Sequence, residues 1–179
     1  MIRLSKYFFL SIIISLLLLS LACSEGPRGT EWSFGNSLIM RVTDLQRVNE
    51  IQFSENESSY IIQPSGKNLE LAALKMEIRN NESSVVFLSI DAEAVKLRDK
   101  DGTEYQPIGF RVRGLDNPNP SAEENKFIPF LWGDLELPNK CGEPLQNCQL
   151  VGWLVFEVPS TMKPDLVVWE SPDTIFLRF

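Results

Sequence analysis

Apolar and polar residues alternate with a period of two along most of this chain, which is typical of β-strands that turn one face toward a core. The clearest case is Leu74-Lys75-Met76-Glu77-Ile78-Arg79, where apolar and charged residues alternate without a break. The same period places Leu38, Met40 and Val42 on one face of an earlier strand. We therefore predict a domain built from strands with these apolar positions turned inward.

A long strand is predicted near the C-terminus. Leu150, Gly152, Leu154, Phe156 and Val158 form one of its faces, and Val151, Trp153 and Val155 form the other. Because both faces are apolar, we expect a central strand that is covered on both sides. Shorter strands are predicted over residues 85–90, 94–98, 166–169 and 175–179. Residues 44–56 favour either a short helix or an irregular loop, and the pattern does not decide between them.

Turn-forming residues separate these strands. Asn80-Asn81-Glu82-Ser83 ends one strand, and Gly102 in Asp99-Lys100-Asp101-Gly102 supplies the positive φ that a tight hairpin needs. No segment has a convincing helical period. Seven to nine short strands predict an all-β fold, an antiparallel β-sandwich, with a closed barrel as the alternative.

The N-terminus has the parts of an export signal. Arg3 and Lys6 precede an uncharged apolar run that is shorter than the ~20 residues of a membrane-spanning helix. The stretch Leu19-Ser20-Leu21-Ala22-Cys23 resembles the bacterial lipobox, with Ser20 at a position where Leu is usual. We expect residues 1–22 to be a signal peptide and Cys23 to carry diacylglycerol and palmitate. An uncleaved anchor and an ordinary signal peptide are the alternatives.

This interpretation divides the chain into a signal peptide (1–22), a lipidated tether (23–36) and one domain (37–179). The net charge is −7, and loss of Arg3 and Lys6 with the signal peptide makes it −9. An acidic surface repels phosphate backbones, so we expect no nucleic-acid partner, and attachment to the membrane is expected to depend on the lipid alone. The predicted location is the extracytoplasmic face of a membrane in the cell envelope.

Two cysteines remain after lipidation of Cys23. Cys141 and Cys148 form a closely spaced pair, which indicates a disulfide in an oxidising compartment. A redox or metal pair is the alternative, but it would need a C-x-x-C spacing or further ligands.

No histidine occurs in the 179 residues. Its absence excludes Ser-His-Asp and Cys-His catalysis and the usual zinc sites. We expect no enzyme activity, no catalytic residue, no cofactor and no metal, and an enzyme that works through carboxylates is the alternative. The carboxylates of Asp99-Lys100-Asp101-Gly102-Thr103-Glu104 raise the alternative of a calcium loop, but they lack the EF-hand spacing, so a plain hairpin turn is the preferred interpretation.

Three segments resemble a lipoprotein domain family of unknown function that occurs in bacteria and archaea. These are a strand running into paired asparagines (74–81), an Asp-Gly hairpin with a following aromatic (97–105) and a late strand that ends in proline (152–159). The resemblance covers roughly residues 35–179 and implies an immunoglobulin-like fold and an extracellular location, without catalytic residues. The chain departs from the family pattern between Tyr105 and Cys148, where we predict a long insertion loop.

The insertion supplies the candidate ligand-binding residues. Aromatic side chains beside arginines are typical of recognition surfaces, and the residues that fit are Phe110, Arg111, Arg113, Phe130 and Trp132. In the competing interpretation, which we prefer, Phe127, Phe130 and Trp132 pack onto the sandwich while Arg111 and Arg113 pair with surface acids.

The sequence therefore predicts a non-catalytic envelope lipoprotein that binds a protein, glycan or small ligand. The alternative is a structural or accessory subunit of an envelope or transport complex.

Overall fold

The computed structural model describes residues 31–130, 132–138 and 149–178, and strands make up most of these residues. The strands are β1 (Ser33–Phe34), β2 (Leu38–Val48), β3 (Ile51–Glu55), β4 (Ser58–Ile62), β5 (Leu69–Asn80), β6 (Val85–Ile90), β7 (Val95–Asp99), β8 (Glu104–Tyr105), β9 (Leu115–Asp116), β10 (Gly133–Pro138), β11 (Gln149–Pro159), β12 (Pro164–Trp169) and β13 (Ile175–Arg178), and a helical turn, α1 (Phe110–Arg113), precedes β9.

All of these strands pair antiparallel. One sheet has the order β1-β2-β5-β11 and a second has the order β13-β12-β7-β8, while β10 pairs with β6. A smaller sheet has the order β3-β4-β9. The predicted antiparallel β-sandwich is confirmed. The strands outnumber the predicted seven to nine because β1, β8 and β9 have two residues each, and because β3, β4 and β10 lie in segments where no strand was predicted.

The main core fills the space between the two large sheets. Leu74, Met76 and Ile78 on β5 are fully buried, as the alternating pattern predicts, and their charged neighbours on β5 are partly exposed. Leu97, Val167 and Trp169 lie in the same cluster from the second sheet. Each such aliphatic side chain stabilises the fold by about 1.5–3 kcal/mol when it is fully buried.

A second core lies on the other face of β5 and β11. Leu71 and Ala73 of β5 and Trp153 and Val155 of β11 are buried there. The residues that cover them come from β3, β4 and the predicted insertion: Ile51, Phe53, Ile62, Phe110 and Phe127. Both faces of β11 are therefore covered along most of its length, as predicted.

The position of β11 differs from the prediction of a central strand. It is the last strand of its sheet, and β5 is its neighbour on one side. Segments of the insertion cover its other edge: the N–H of Ile108 donates to Val155 O at 2.7 Å, and the N–H of Trp153 donates to Ile128 O at 3.0 Å. These bonds satisfy backbone groups that an edge strand leaves unpaired.

Residues 44–56 form neither of the two structures that the pattern allowed. They continue β2 to Val48 and then form β3. The register between β2 and β5 shifts between Val42 and Asp44, which is a β-bulge. Because a bulge inserts one residue, it interrupts the period-two pattern on which strand prediction depends.

The predicted tether is partly folded. Ser33 and Phe34 form β1 and pair with Met40 and Ile39 of β2, and Ser33 is buried. The domain therefore begins before residue 37, the predicted boundary.

The Asp99 hairpin has the predicted turn, and Gly102 has a φ of 86°. Asp99 Oδ1 accepts hydrogen bonds from the N–H groups of Asp101 and Thr103, and its Oδ2 accepts from the hydroxyl of Tyr105. Burial raises the pKa of Asp99, but these hydrogen bonds outweigh it and hold the pKa below its ordinary value of 3.8. The carboxylate thus stabilises the turn in its ionised form.

Gly152 allows the insertion to lie directly on β11. A Cβ at this position would lie 2.8 Å from the ring of Phe130 and 2.9 Å from its backbone N. A glycine inside a strand commonly marks such a close approach of another segment.

We predict that Gly152→Ala lowers the free energy of unfolding by about 1–3 kcal/mol, because the methyl group has to displace Phe130 from the strand. Urea unfolding of both proteins measures the difference. Gly109→Ala is the control, since its Cβ would meet only ordinary contacts at 3.5 Å and beyond. Equal effects of the two substitutions would contradict the proposed role of Gly152.

We predict that Asp99→Asn destabilises the domain at neutral pH and reduces its sensitivity to acid. Because the pKa of Asp99 is lowered in the folded state, its contribution is complete above the unfolded pKa and is lost as the pH falls through the folded pKa. The midpoint of urea unfolding, measured between pH 7 and pH 3, tests this. Asp101→Asn is the control, because it removes the same charge from the same turn and leaves the hydrogen bonds of Asp99 in place. Equal effects of the two substitutions would contradict the role of Asp99.

Candidate functional site

A pocket of about 420 Å³ opens between β3, the helical turn α1 and the segment that precedes β10. Its lining is mainly aromatic and aliphatic and consists, among the described residues, of Phe53, Ser54, Glu55, Gly109, Phe110, Val112, Asn125, Ile128, Pro129, Phe130 and Trp132. Both the volume and this chemistry are typical of sites that hold small organic molecules.

One wall of the pocket is an aromatic cluster fixed by the second core. The ring of Phe53 on β3 stacks on Tyr60 of β4 with centroids 5.2 Å apart, and Phe110 of α1 meets it edge-on at 5.1 Å. Phe53 and Phe110 are each only 5% exposed. This wall is therefore held in place without a ligand.

A second wall comes from Ile128, Pro129, Phe130 and Trp132. Phe127 packs edge-on against Trp153 at 4.8 Å, and Phe130 is buried against Gly152. The N–H of Phe130 donates to Trp153 O at 3.2 Å. Phe127 thereby joins the second core and Phe130 joins the main core, and both lie against β11.

The rim of the pocket exposes apolar side chains. Val112 is 85% exposed, Ile128 64% and Trp132 39%. Large side chains of this kind, gathered around a pocket, mark a surface that another molecule can cover.

A small polar edge completes the pocket. Asn125, which has a φ of 62°, accepts a hydrogen bond from the N–H of Ser54 at 2.9 Å and donates to Ser54 Oγ at 2.7 Å. Of the described lining residues, Glu55 alone has an ionisable side chain. Polar groups at one edge of an apolar pocket orient a ligand that has one polar end.

Arg113 does not line the pocket. Its guanidinium donates to Glu157 of β11 at 2.9 Å, and Glu157 also accepts from the N–H and hydroxyl of Ser65. Burial raises the pKa of Glu157, but the hydrogen bonds from Ser65 and the charge of Arg113 outweigh this effect and lower it. Arg113 thus anchors α1 to β11, as the competing interpretation expects.

The predicted site residues fall into three groups. Phe110, Phe130 and Trp132 come together in the pocket, with the first two buried and Trp132 half-exposed. Arg111 lies in α1, and its side chain is outside the described part of the structure. Cys23, Cys141 and Cys148 lie outside the described residues, so their predicted lipid and disulfide stay predictions.

Sequence reasoning did not name eight of the eleven described lining residues, and four of these eight carry large or polar side chains at the wall and rim: Phe53, Val112, Asn125 and Ile128. Phe53 alternates with Ile51 in Ile51-Gln52-Phe53, a pattern that would have predicted a buried strand position if residues 44–56 had been assigned to strands. The other three are exposed loop or turn positions and carry no comparable pattern.

Two further observations limit the chemistry of the described residues. Within the parts of the chain that the structure describes, no group of three or more Asp, Glu, Cys or His side chains is arranged to hold a metal ion. The same parts contain no helix of the length and apolar character needed to cross a membrane.

No known protein family model matches the sequence, and no curated protein matches it.

Three solved structures are similar in fold. The predicted lipoprotein YcdA from Bacillus subtilis is 11% identical with a TM-score of 0.48, and the alignment covers 86% of this chain and 39% of YcdA. YjhA from Bacillus subtilis is 12% identical with a TM-score of 0.49, over 84% of this chain and 97% of YjhA. An uncharacterised β-sandwich protein from Clostridium difficile 630 is 8% identical with a TM-score of 0.42, over 87% and 97%. This chain spans about two fifths of the length of YcdA.

Proposed function

We propose that this chain is a lipid-anchored envelope protein whose β-sandwich is a non-catalytic binding module for a small apolar ligand. The observation that carries the proposal is the pocket of about 420 Å³ with an aromatic wall and an exposed apolar rim. The lipobox-like stretch that ends at Cys23 supports the anchor.

The ligand class follows from the lining of the pocket. Seven of the eleven described lining residues have apolar side chains, and Asn125, Ser54 and Glu55 lie at one edge. Transfer of an alkyl or aromatic group from water to these walls would stabilise the complex by about 0.8 kcal/mol for each buried CH₂. Its polar end would lie near Asn125.

The non-catalytic part of the proposal depends on the scarcity of groups that transfer protons. The chain has no histidine, and Glu55 is the ionisable group among the described lining residues. General acid–base catalysis commonly needs two such groups in register with the substrate.

A series of alkyl glucosides with increasing chain length tests the binding pocket. The test uses residues 24–179, which contain every buried residue described above. We expect the affinity of the glucosides for this fragment to rise about fourfold with each added CH₂ until the pocket is full. Quenching or a shift of tryptophan fluorescence measures the binding, since Trp132 is part of the lining. A lack of saturable binding across the series would rule out the pocket as the site.

Variants at the rim locate the binding. Val112→Ser and Ile128→Ser replace exposed side chains, so folding should be retained while affinity falls by roughly fivefold each. Phe87→Ser is the matched control, because Phe87 is as exposed as Ile128 but lies on β6, outside the pocket. Unchanged affinity in both rim variants, or an equal loss in all three variants, would contradict binding in the pocket.

The anchor has a separate test. Mass spectrometry of the membrane-bound chain should find the N-terminus at Cys23 with a diacylglyceryl group attached, and Cys23→Ser should leave residues 1–22 uncleaved. A mature chain that starts at another residue, or an unmodified Cys23, would exclude the lipoprotein assignment.

A further inference from the structure

Two exposed phenylalanines lie on β1 and β13, two strands that contact each other where the described part of the domain begins. Phe34 on β1 is 72% exposed and Phe176 on β13 is 52% exposed. Both line one shallow depression together with Glu31, Trp32, Ser33, Thr174 and Ile175. The hydroxyl of Ser33 donates to Phe176 O at 3.4 Å, which joins the edges of the two large sheets at this point.

The backbone around Phe34 is held firmly. Trp32 contacts two guanidinium groups, with the Cζ atoms of Arg41 and Arg79 each 4.4 Å from its ring centroid. Such cation–π contacts stabilise the ring on the sheet. Asp173 strengthens the same corner, because its Oδ2 accepts from the N–H groups of Ser37 and Leu38 at 2.6 and 2.8 Å. The chain therefore enters the domain at a fixed place and Phe34 keeps its outward direction.

Few residues separate this corner from the predicted lipid. Eight residue steps connect Cys23 with Glu31, and a fully extended chain of this length spans at most about 29 Å. With an anchor at Cys23, the corner that bears Phe34 and Phe176 is the part of the described domain nearest to the membrane along the chain. The lipid surface is then present at a high effective concentration.

We propose that Phe34 and Phe176 form a lipid-contact surface that enters the headgroup region of the membrane and orients the domain, an inference that rests on the proposed lipid anchor. Aromatic side chains favour this region of a bilayer. The two rings add apolar contact to a mature chain that has a net charge of −9 and lacks electrostatic help for membrane binding. The surface is separate from the pocket, with which it shares no residue.

Photo-crosslinking of the full lipidated chain tests the surface. The chain is reconstituted into phosphatidylcholine vesicles that contain a phospholipid with a diazirine near its headgroup, and labelled peptides are identified by mass spectrometry after illumination. We expect labelling of the peptides that contain Phe34 and Phe176 to exceed labelling of the peptide that contains Phe87 several-fold. Phe87 is the internal control because it is 64% exposed and lies on another sheet.

The double variant Phe34→Ser, Phe176→Ser should lose this excess labelling, whereas Phe87→Ser should retain it. Unfolding midpoints of both variants verify that the fold is intact. The N-terminal peptide of the same sample reports the lipid on Cys23, so the two proposals can fail separately. A lipidated chain that is labelled evenly, or mainly around Val112 and Ile128, overturns the surface and leaves the anchor standing. An unmodified Cys23 overturns the anchor and the surface with it.

Discussion

The pairing of β5 with β11 is the constraint on which the rest of this structure depends. The two strands keep one register over eleven residue pairs, from Leu69↔Pro159 to Arg79↔Gln149. One face of the pair contributes Leu74, Leu154 and Phe156 to the main core, and the other contributes Leu71 and Val155 to the second core. A shift by one residue would exchange these faces, so both cores fix the same register.

The pocket exists because β11 has one edge without a neighbouring strand. Segments of the insertion occupy that edge through the bonds of Ile108 and Trp153 and through the close approach of Phe130 to Gly152. The Arg113–Glu157 ion pair ties α1 to the same strand. Val112 and Ile128 of these segments stay exposed around the pocket that Phe53 lines. Protection of a sheet edge and formation of a pocket thus have one structural cause.

Buried carboxylates fix the loops of the domain. Asp99 organises the β7–β8 turn, and Asp173 joins the β12–β13 connection to the start of β2. Each carboxylate accepts hydrogen bonds from backbone N–H groups. A buried N–H group that is left without an acceptor destabilises the fold by about 1–3 kcal/mol. Asp173 thus holds the corner at which the chain enters the described domain.

The sequence by itself determined the strand character, the alternating faces of β5 and β11 and the Gly102 hairpin, because these depend on side-chain period and on backbone preferences of neighbouring residues. It also brought Phe110, Phe130 and Trp132 forward as candidates, through their composition alone. Only the tertiary structure decided that residues 44–56 are strands, that β11 lies at a sheet edge, and that Arg113 pairs with Glu157. The contacts behind these outcomes join residues far apart in the chain, such as Phe53 with Phe110 and Gly152 with Phe130. A local pattern cannot encode them, because the β-bulge and the docking of the insertion arise only when the packed sheets meet.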